Sequence, residues 1–450
     1  MYFYKIVQSF NTFMKKVLII TYYWPPSGGS GVQRWMYFAK YLSDFGIEPL
    51  VLTVSEKYAS YRQVDEKLNN EVKNIKVFKT ASFEPLKIYS LLTSGNRKKG
   101  IPQGEIKSEN GNFIVAVSKF IRGSLFVPDA RKMWNVFAFR KAKEIIKNET
   151  IDLVITTGPP HSTHLTGKRL KKRLGLKWIA DFRDPWSDLY YNRDLIRTKR
   201  AVNKDKRLEK KVLDTADLIL TVGFKMKELL AKKSTDITDK IHFIYNGYDT
   251  VLFDRIKTEK TNDFEISYIG LLTENSPYKT FVQSIKLFLK KASLDNVKLN
   301  FAGNIQQSIL EYFKNEIPAL KINYSGYISH EKAVGLMKQS NLLISCLPET
   351  EQSQILISGK LAEYMATGNP ILSFGNSEGE SSLMLKKLQF TETCTKDEIE
   401  KASDFIFKIY EQYQKGDILL NNPESELIRK LSRRETARQL SDFIKQFIEI

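Results

Sequence analysis

A chain of 450 residues is too long for a single typical hydrophobic core, so its length predicts two domains. Its hydrophobic content of 42% and charged content of 27% are typical of globular proteins, and no apolar run reaches the length of a membrane-spanning helix. Cys346 and Cys394 are the two cysteines, which excludes a disulfide framework and favours the reducing cytoplasm.

Short apolar strands alternate with helical patterns through the first half of the chain. The predicted strands are residues 17–21, 49–54, 75–78, 153–156, 177–180, 218–222 and 242–245. Helical periodicity lies between them, for example in Val32–Phe45, Trp134–Lys147 and Ser162–Leu174. This alternation predicts a parallel, doubly wound α/β sheet.

Two segments of this half are open to several interpretations. Residues 1–13 either precede a native start at Met14 or form a short surface helix. Residues 90–126 fit an excursion on the side that would bind an acceptor substrate, a loop that contacts a membrane, or a mobile connection.

The alternation breaks after Asn246–Asp249 and restarts at Phe264, with the polar stretch Arg255–Asp263 between them. Further strands are predicted at residues 264–269, 299–302, 322–324, 342–345 and 371–374. We therefore expect domains over residues 1–255 and 256–430, each Rossmann-like and facing the other across a cleft. Residues 431–450 are predicted as a C-terminal helix that can cross back to the first domain.

The first strand runs into a loop rich in glycine, Tyr22–Arg34. Gly28, Gly29 and Gly31 allow backbone amides to approach a diphosphate closely, at the start of a helix whose N-terminus favours anions. Arg34 can add positive charge. The grouping is neither a dinucleotide fingerprint nor a P-loop, and a tight turn without a ligand is the less favoured alternative.

The next candidate block, Thr157–His164, follows a strand and opens a helix. His161 lies at the carboxyl end of that strand, where doubly wound sheets bind their ligands, so a catalytic role competes with a purely structural one. His164 would complete a metal pair with His161, but no third ligand accompanies them, which argues against zinc.

The string Asp181-Phe-Arg-Asp-Pro-Trp186 follows another strand. Its carboxylates and Arg183 can bind acceptor hydroxyls or orient His161, or they can form a buried ion-pair network. We favour a structural role for Asp181 and a cleft-facing, catalytic role for Asp184. Further on, Asn246-Gly-Tyr-Asp249 favours a turn.

The segment Ser358–Leu372 carries a lysine and a carboxylate three residues apart, on one face of a short helix. Gly359 precedes this helix, and Gly368 is placed just past its end. Lys360 beside a helix N-terminus suits a phosphate, and Glu363 can accept hydrogen bonds from sugar or ribose hydroxyls. The alternative is an ordinary solvated pair.

Two strongly basic segments, Gly167–Leu174 and Arg193–Lys211, carry much of the net charge of +19. In the first, Leu165, Leu170 and Leu174 fit a buried stripe opposite a basic face. A solvated surface is one interpretation, and contact with anionic lipid is the other. No nucleic-acid-binding motif is present, so no nucleic-acid partner is expected.

Together these motifs resemble bacterial family 4 glycosyltransferases, in order and over nearly the whole chain. The resemblance implies the GT-B fold, made of two Rossmann-like domains, and a retaining, metal-independent transferase. The implied donor is a nucleotide-sugar, used as substrate, with no further cofactor. The implied acceptor is a lipid-linked or polysaccharide glycan of the bacterial surface, as in capsule or lipopolysaccharide. The basic helix separately favours a cytoplasmic protein in peripheral contact with the inner face of the cytoplasmic membrane.

The resemblance also implies roles for individual residues. His161 would contact the transferred sugar, with Arg183 and Asn246 on the acceptor side. The implied donor-binding residues are Gly28, Gly29, Gly31, Arg34, Gly270, Lys279, Gly359, Lys360 and Glu363, with Lys279 on phosphate and Glu363 on the ribose.

This chain departs from the family pattern at two positions. Leu271 and Leu272 follow Gly270 where an arginine is usual, and Ile355 replaces the first glutamate of a paired motif. No D-x-D is present, which fits metal-independent transfer. The departures keep open a second hypothesis, a non-catalytic scaffold or binding partner with the same fold.

Overall fold

A computed structural model describes residues 14–61, 64–83, 116, 119–189, 192, 195–292, 296–417 and 419–449. The hypotheses on residues 1–13, and on most of 90–126, concern residues outside these ranges. The chain divides into two compact units. Unit 1 comprises the described residues within Met1–Val222, Met226–Tyr245 and Thr436–Ile450, and unit 2 comprises those within Gly223–Lys225 and Asn246–Glu435.

Unit 1 is built on a parallel sheet, whose described strands lie in the order β3-β2-β1-β4-β5-β6-β7. They are β1 Lys15–Ile20, β2 Ile47–Val54, β3 Lys76–Thr80, β4 Leu153–Gly158, β5 Lys177–Phe182, β6 Leu218–Thr221 and β7 Ile241–Phe243. The run Val17–Ile20 is fully buried, as expected of a central strand covered on both faces.

Helices connect these strands and cover the sheet of unit 1. Before β7 the described α-helices are α1 Ser30–Leu42, α2 Leu68–Glu71, α3 Trp134–Glu149, α4 Thr163–Leu174, α5 Lys199–Thr215 and α6 Phe224–Ala231. Trp35 and Met36 of α1 pack with Val17 and Ile19 in one apolar core. In α4, Leu170 is buried and Leu174 is exposed, so the predicted stripe is narrower than expected.

Unit 2 contains a second parallel sheet, with its described strands in the order β10-β9-β8-β11-β12-β13. They are β8 Phe264–Leu272, β9 Val297–Ile305, β10 Lys321–Tyr324, β11 Leu342–Cys346, β12 Ile371–Phe374 and β13 Thr391–Cys394. Strand β13 lacks an apolar run and was not predicted.

The described helices after β7 are α7 Thr250–Arg255, α8 Tyr278–Leu289, α9 Gln307–Glu316, α10 His330–Gln339, α11 Leu361–Thr367, α12 Glu380–Leu385, α13 Ile399–Gln414, α14 Glu426–Arg429 and α15 Arg433–Glu449. The core of unit 2 is rich in phenylalanine. Phe313 meets Phe281 and Phe301 edge to face, with ring centroids 5.2 and 4.9 Å apart, a favourable geometry for aromatic pairs.

Helix α15 begins in unit 2 and continues in unit 1. Its side chains Ala437, Leu440 and Ile444 join the unit 1 core, and Ser441 donates a hydrogen bond to the carbonyl of Phe45. The chain passes from unit 1 to unit 2 between Tyr245 and Asn246, before the position expected from the sequence.

The predicted fold class, two doubly wound α/β domains, is confirmed by the two parallel sheets. Both sheets reverse their direction of winding next to their first strand, between β1 and β4 and between β8 and β11. Ligands of such sheets bind at the carboxyl ends of the strands that flank this reversal. Among the described residues, no helix is both long and apolar enough to span a bilayer.

Candidate functional site

In unit 1, the glycine-rich loop leads from β1 into α1 at the reversal point. Gly29 adopts a left-handed φ of 90° and precedes α1 without a side-chain cap, so the first amides of the helix have no capping side chain. Gly28 is partly buried and Gly31 is exposed. A Cβ at Gly31 would lie 3.3 Å from the Arg183 guanidinium, so a side chain there would press on the Arg183 side chain.

Arg34 does not project from this loop but lies buried beneath it. Its Nε donates to Asp181 Oδ1 (3.3 Å), and its other nitrogens donate to the carbonyls of Ile244 (2.8 Å) and Thr221 (3.3 Å). Asp181 Oδ2 also accepts from Trp35 Nε1 (2.6 Å). These contacts form a buried ion-pair network around Asp181. Arg34 is therefore placed to stabilise the edge of the sheet rather than to bind a donor phosphate.

Arg183 joins the two loops at the reversal point of unit 1. Its Nε donates to the carbonyl of Gly158 (3.1 Å), and its terminal nitrogens donate to the carbonyls of Gly31 and Pro159. Arg183 therefore fixes the glycine loop after β1 against the loop after β4. Asn246, its predicted companion on the acceptor side, is exposed and belongs to unit 2, so the structure does not group the two within one unit.

His161 follows β4 and lies buried in the wall of unit 1. Its ring stacks on Trp186, with centroids 5.3 Å apart and planes 12° from parallel. Neither ring nitrogen forms a hydrogen bond with a described residue. Burial, together with the charges of His164, Arg183 and Lys233, lowers the pKa of His161 well below its usual value. The imidazole is therefore neutral at pH 7 and offers one donor and one acceptor.

His164 is a second buried imidazole, beside His161. The sequence suggested it only as a partner of His161 in a metal site, which the lack of a third ligand argued against. Its Nδ1 lies 2.9 Å from Thr156 Oγ1, and its ring stacks on Phe182. A Cβ at Gly158 would lie 2.7 Å from His164 Nε2 and 2.8 Å from His161 Nδ1. The two imidazoles thus flank one face of Gly158, a position that only glycine fits.

Asp129 and Asn135 hold the loop that carries His161, and sequence reasoning missed both. The Asp129 carboxylate accepts hydrogen bonds from the Ser162 backbone N–H (2.7 Å) and hydroxyl (2.9 Å), and Asn135 donates to the Ser162 carbonyl (2.7 Å). Burial raises the pKa of Asp129, while the bonds from Ser162 oppose the rise. In the sequence, most of α3 and the whole of β4 separate Asp129 and Asn135 from His161, so no local motif links them to it.

Asp184 lies in the loop after β5, partly buried. Burial raises the pKa of this carboxyl, and the neighbouring Arg183 charge opposes the rise. No hydrogen bond ties Asp184 to another described residue, in contrast to the fully bonded Asp181. The first carboxylate of the motif is therefore structural, and the second remains available to a ligand.

In unit 2, Gly270 and Lys279 lie at the carboxyl end of the central strand β8. Gly270 pairs with Gly303 of β9, and a Cβ at Gly303 would lie only 2.1 Å from the Gly270 carbonyl oxygen. Lys279 is exposed in the first turn of α8. The buried hydroxyl of Ser276, just before α8, forms no hydrogen bond with a described residue.

Glu363 lies in the first turn of α11, after β11, and contacts three basic side chains of unit 2. Lys360 Nζ is 2.8 Å from its Oε2, and its Oε1 is 2.7 Å from His330 Nε2 and 3.3 Å from Arg433 Nη2. Burial alone would raise the pKa of Glu363, but Lys360, His330 and Arg433 hold it well below its usual value. Glu363 is therefore ionised throughout the physiological range.

His330 and Arg433 were not expected from the sequence. Arg433 also donates through Nε to the Gly247 carbonyl (3.0 Å), and a backbone bridge joins Tyr248 to Ser432. The turn predicted at Asn246–Asp249 is thus held against the start of α15, while Asp249 caps α7 through Val251 N–H.

The positions where the chain departs from the family pattern carry apolar side chains, and the structure shows where they lie. Ile355 is buried, in the 3₁₀ turn Ser353–Ile355, and Leu271 is exposed near the end of β8. Gly359 is exposed two residues before α11. The described residues contain no group of three potential metal ligands, and the expectation of metal independence stays a prediction.

Two doubly wound domains, each with its candidate residues at the carboxyl ends of its central strands, define the GT-B class of fold. Within that class, residues 102–252 match the family model described as Glycosyltransferase Family 4. The resemblance stated from the sequence motifs is thereby confirmed over a segment that includes His161 and the Asp181–Trp186 string. No curated protein matches the chain.

Solved structures share this fold along almost the whole chain. A glycosyltransferase from Rickettsia africae ESF-5 superimposes with a TM-score of 0.62 at 16% identity, over 96% of this chain and 98% of that one. WaaG, a glycosyltransferase involved in lipopolysaccharide biosynthesis, gives 0.54 at 12% identity, over 95% of both chains. The S. aureus MnaA–UDP complex gives 0.52 at 13% identity, over 97% of both. At such identities the likeness establishes the fold, and with the family match it supports a glycosyltransferase role.

Proposed function

We propose that this protein is a retaining glycosyltransferase that moves a sugar from a nucleotide-sugar to a lipid-linked or polysaccharide acceptor in bacterial surface-glycan synthesis. The family match over residues 102–252 supports the class. The observation that carries the proposal is the ionised, buried Glu363 beside Lys360 at the carboxyl end of β11. A carboxylate suits the hydroxyls of a ribose, and a lysine at a helix start suits a phosphate.

In unit 2, the nucleotide would bind through Glu363, with Lys360 and Lys279 supplying positive charge to the diphosphate. Glu363 Oε2 is the oxygen with unused hydrogen-bonding capacity, because the Lys360 ammonium is its one charged contact among the described residues and a carboxylate oxygen can accept more than one hydrogen bond. Movement of the partly exposed Lys360 side chain towards a phosphate would uncover this oxygen for a ribose hydroxyl.

In unit 1, His161 would contact the transferred sugar as a neutral imidazole, by accepting or donating a hydrogen bond to a hydroxyl. Its lowered pKa makes it a poor candidate for an acid catalyst at pH 7. Asp184, with a raised pKa, would bind an acceptor hydroxyl.

The transfer step follows from the family resemblance. The acceptor oxygen bonds to the anomeric carbon on the face from which the diphosphate departs, as the carbon–phosphate oxygen bond breaks. Because attack and departure take place on one face, the configuration is retained, and the acceptor proton passes to the leaving phosphate. Lysines and helix-terminal amides would stabilise the leaving charge, with neither a metal ion nor a further cofactor.

Thermal stability with UDP, GDP, ADP and CMP, without added metal, tests the nucleotide site. A nucleotide at ~100 times its dissociation constant adds about 2.7 kcal/mol to the free energy of unfolding, or about 3 °C in a chain of this size. We expect one nucleotide to be selected and Glu363→Ala to abolish its effect. The control Glu426→Ala, which breaks an exposed pair with Lys430, should leave the shift intact.

The same measurement separates the second candidate, a non-catalytic scaffold. This alternative is favoured by one observation, the buried apolar Ile355 in place of a donor-side carboxylate. Folded protein that responds to no nucleotide would contradict the transferase proposal and support the scaffold.

We further propose that the protein works at the inner face of the cytoplasmic membrane and does not bind nucleic acid. The exposed cations of α4 and α5 support contact with anionic lipid. Such contact would bring unit 1 to a lipid-linked acceptor.

A further inference from the structure

His330 reaches Glu363 from a separate connection of the unit 2 sheet. Residue 330 opens α10, directly after Ser329, whose hydroxyl caps the helix. Glu363 belongs to the connection between β11 and β12, 33 residues further along the chain. Both helices begin after the carboxyl end of a parallel strand, which brings the two side chains to the same edge of the sheet.

The two oxygens of Glu363 are used differently. Oε1 is engaged by His330 Nε2 at 2.7 Å and by Arg433 Nη2 at 3.3 Å. Oε2 contacts only the Lys360 ammonium among the charged groups of the described residues, at 2.8 Å. A short hydrogen bond to one oxygen fixes the rotation of the carboxylate, so the other oxygen has a defined direction.

We propose that His330 is a positioning residue that orients Glu363 for the ribose hydroxyls of a nucleoside diphosphate. The inference rests on the proposed function, because it takes Glu363 as the nucleotide-binding carboxylate. Lys360 and Arg433 already compensate the negative charge, so the specific contribution of His330 is directional. Without it, Glu363 would turn towards its two remaining cations, and the geometry for a hydroxyl would be lost.

His330→Phe removes the donor, and His330→Gln replaces it with an amide nitrogen that can occupy a similar place. With UDP as the first probe, followed by the best of GDP, ADP and CMP, we expect His330→Phe to weaken binding roughly tenfold. For turnover, the loss should appear in KM with kcat nearly unchanged, because the contact is made equally in the ground and transition states. His330→Gln should recover most of the affinity, and Lys332→Gln, an exposed neighbour on α10, should have no effect.

A double-mutant cycle tests whether His330 acts through Glu363. At nucleotide concentrations high enough to measure the residual affinity of Glu363→Ala, adding His330→Phe to that variant should cause no further loss of nucleotide affinity. Wild-type affinity in His330→Phe, an equal loss in the Glu363→Ala background, or failure of His330→Gln to recover binding would each overturn the inference. If His330→Phe does not fold, His330→Asn, whose amide is too short to reach, takes its place.

These outcomes are distinguishable from failure of the proposed function. If wild-type protein binds no nucleotide, the proposed function is wrong, and so is the inferred role of His330. If Glu363→Ala strongly weakens nucleotide binding while His330→Phe leaves it unchanged, the proposed function stands and only the role of His330 is wrong.

Discussion

His164 is a buried imidazole whose protonation is coupled to folding. Its ring is fully buried against Phe182, and burial, with the charge of Arg183, lowers its pKa to about 3. An unfolded chain binds a proton on this histidine below about pH 6.5, whereas the folded chain does so only near pH 3. The free energy of unfolding therefore falls as the pH drops through this window.

We expect His164→Gln to reduce the acid sensitivity of the protein. The histidine should cost about 2 kcal/mol at pH 5 relative to pH 7, since one pKa unit corresponds to about 1.4 kcal/mol. Urea unfolding of wild type and variant at both pH values measures the difference. The variant is expected to be less stable at pH 7, because the contact with Thr156 is lost, but to lose less stability on acidification. Equal losses in both proteins would contradict the assignment.

The short helix α11 depends on the glycine that ends it. Gly368 adopts a left-handed φ of 76°, and its carbonyl accepts from the Asn421 backbone N–H (2.6 Å). A Cβ at this position would lie 2.8 Å from the Asn421 carbonyl oxygen. The helix that carries Glu363 thus ends at a glycine that leaves no room for a side chain. The sequence pattern predicted this glycine just past the end of the helix.

Gly368→Ala should destabilise the protein by more than the left-handed conformation alone requires. That conformation costs about 1–2 kcal/mol for a residue with a Cβ, and the collision adds to it. Gly416→Ala is the matched control, because Gly416 has a φ of 81° and an added Cβ would contact nothing within 4 Å. Denaturant unfolding of both variants gives the comparison, and equal destabilisation would show that the collision is relieved at no cost.

At the scale of the molecule, the positive charge is concentrated on two neighbouring helices of unit 1. Partial burial and the nearby charges of Lys172 and Lys211 lower the pKa of Lys168, so cations of α4 and α5 lie close together on this surface. The exposed cations of these helices with no ion pair to a described residue are Arg169, Lys172, Arg173, Lys199, Arg200, Lys204, Lys206, Arg207 and Lys211. Exposed Leu125 and Ile196 lie beside the start of α5. Cations next to apolar side chains favour an anionic bilayer surface.

Vesicle sedimentation tests this surface in the intact protein. We expect recovery on vesicles with anionic lipid, little on neutral ones, and a loss of binding at high salt. Replacing Arg169, Lys172, Arg173 and Lys204 by glutamine should reduce recovery severalfold. The control, with equal loss of charge from unit 2, replaces Lys290, Lys314, Lys321 and Lys387. Equal recovery on both lipids, or equal loss in both variants, would contradict the proposal.

Local patterns predicted the sheets better than they predicted the candidate site. The central strand β1 contains the continuous apolar run Val17–Ile20, which is the pattern expected of a strand buried on both faces, so the sequence alone reveals it. Strand β13, Thr391–Cys394, pairs with β12 alone at a sheet edge, needs few apolar residues, and was missed. His330 and Arg433 lie 33 and 70 residues from Glu363, and only the folded chain brings such distant residues together.

The contribution of α15 to the unit 1 core has a consequence for synthesis on the ribosome. Ala437, Leu440 and Ile444 pack among side chains from the first strands, yet they follow the whole of unit 2 in the chain. Unit 1 therefore cannot complete its apolar core until unit 2 has been translated. We expect nascent chains to expose apolar surface of unit 1, and to be prone to aggregation, until α15 has been made.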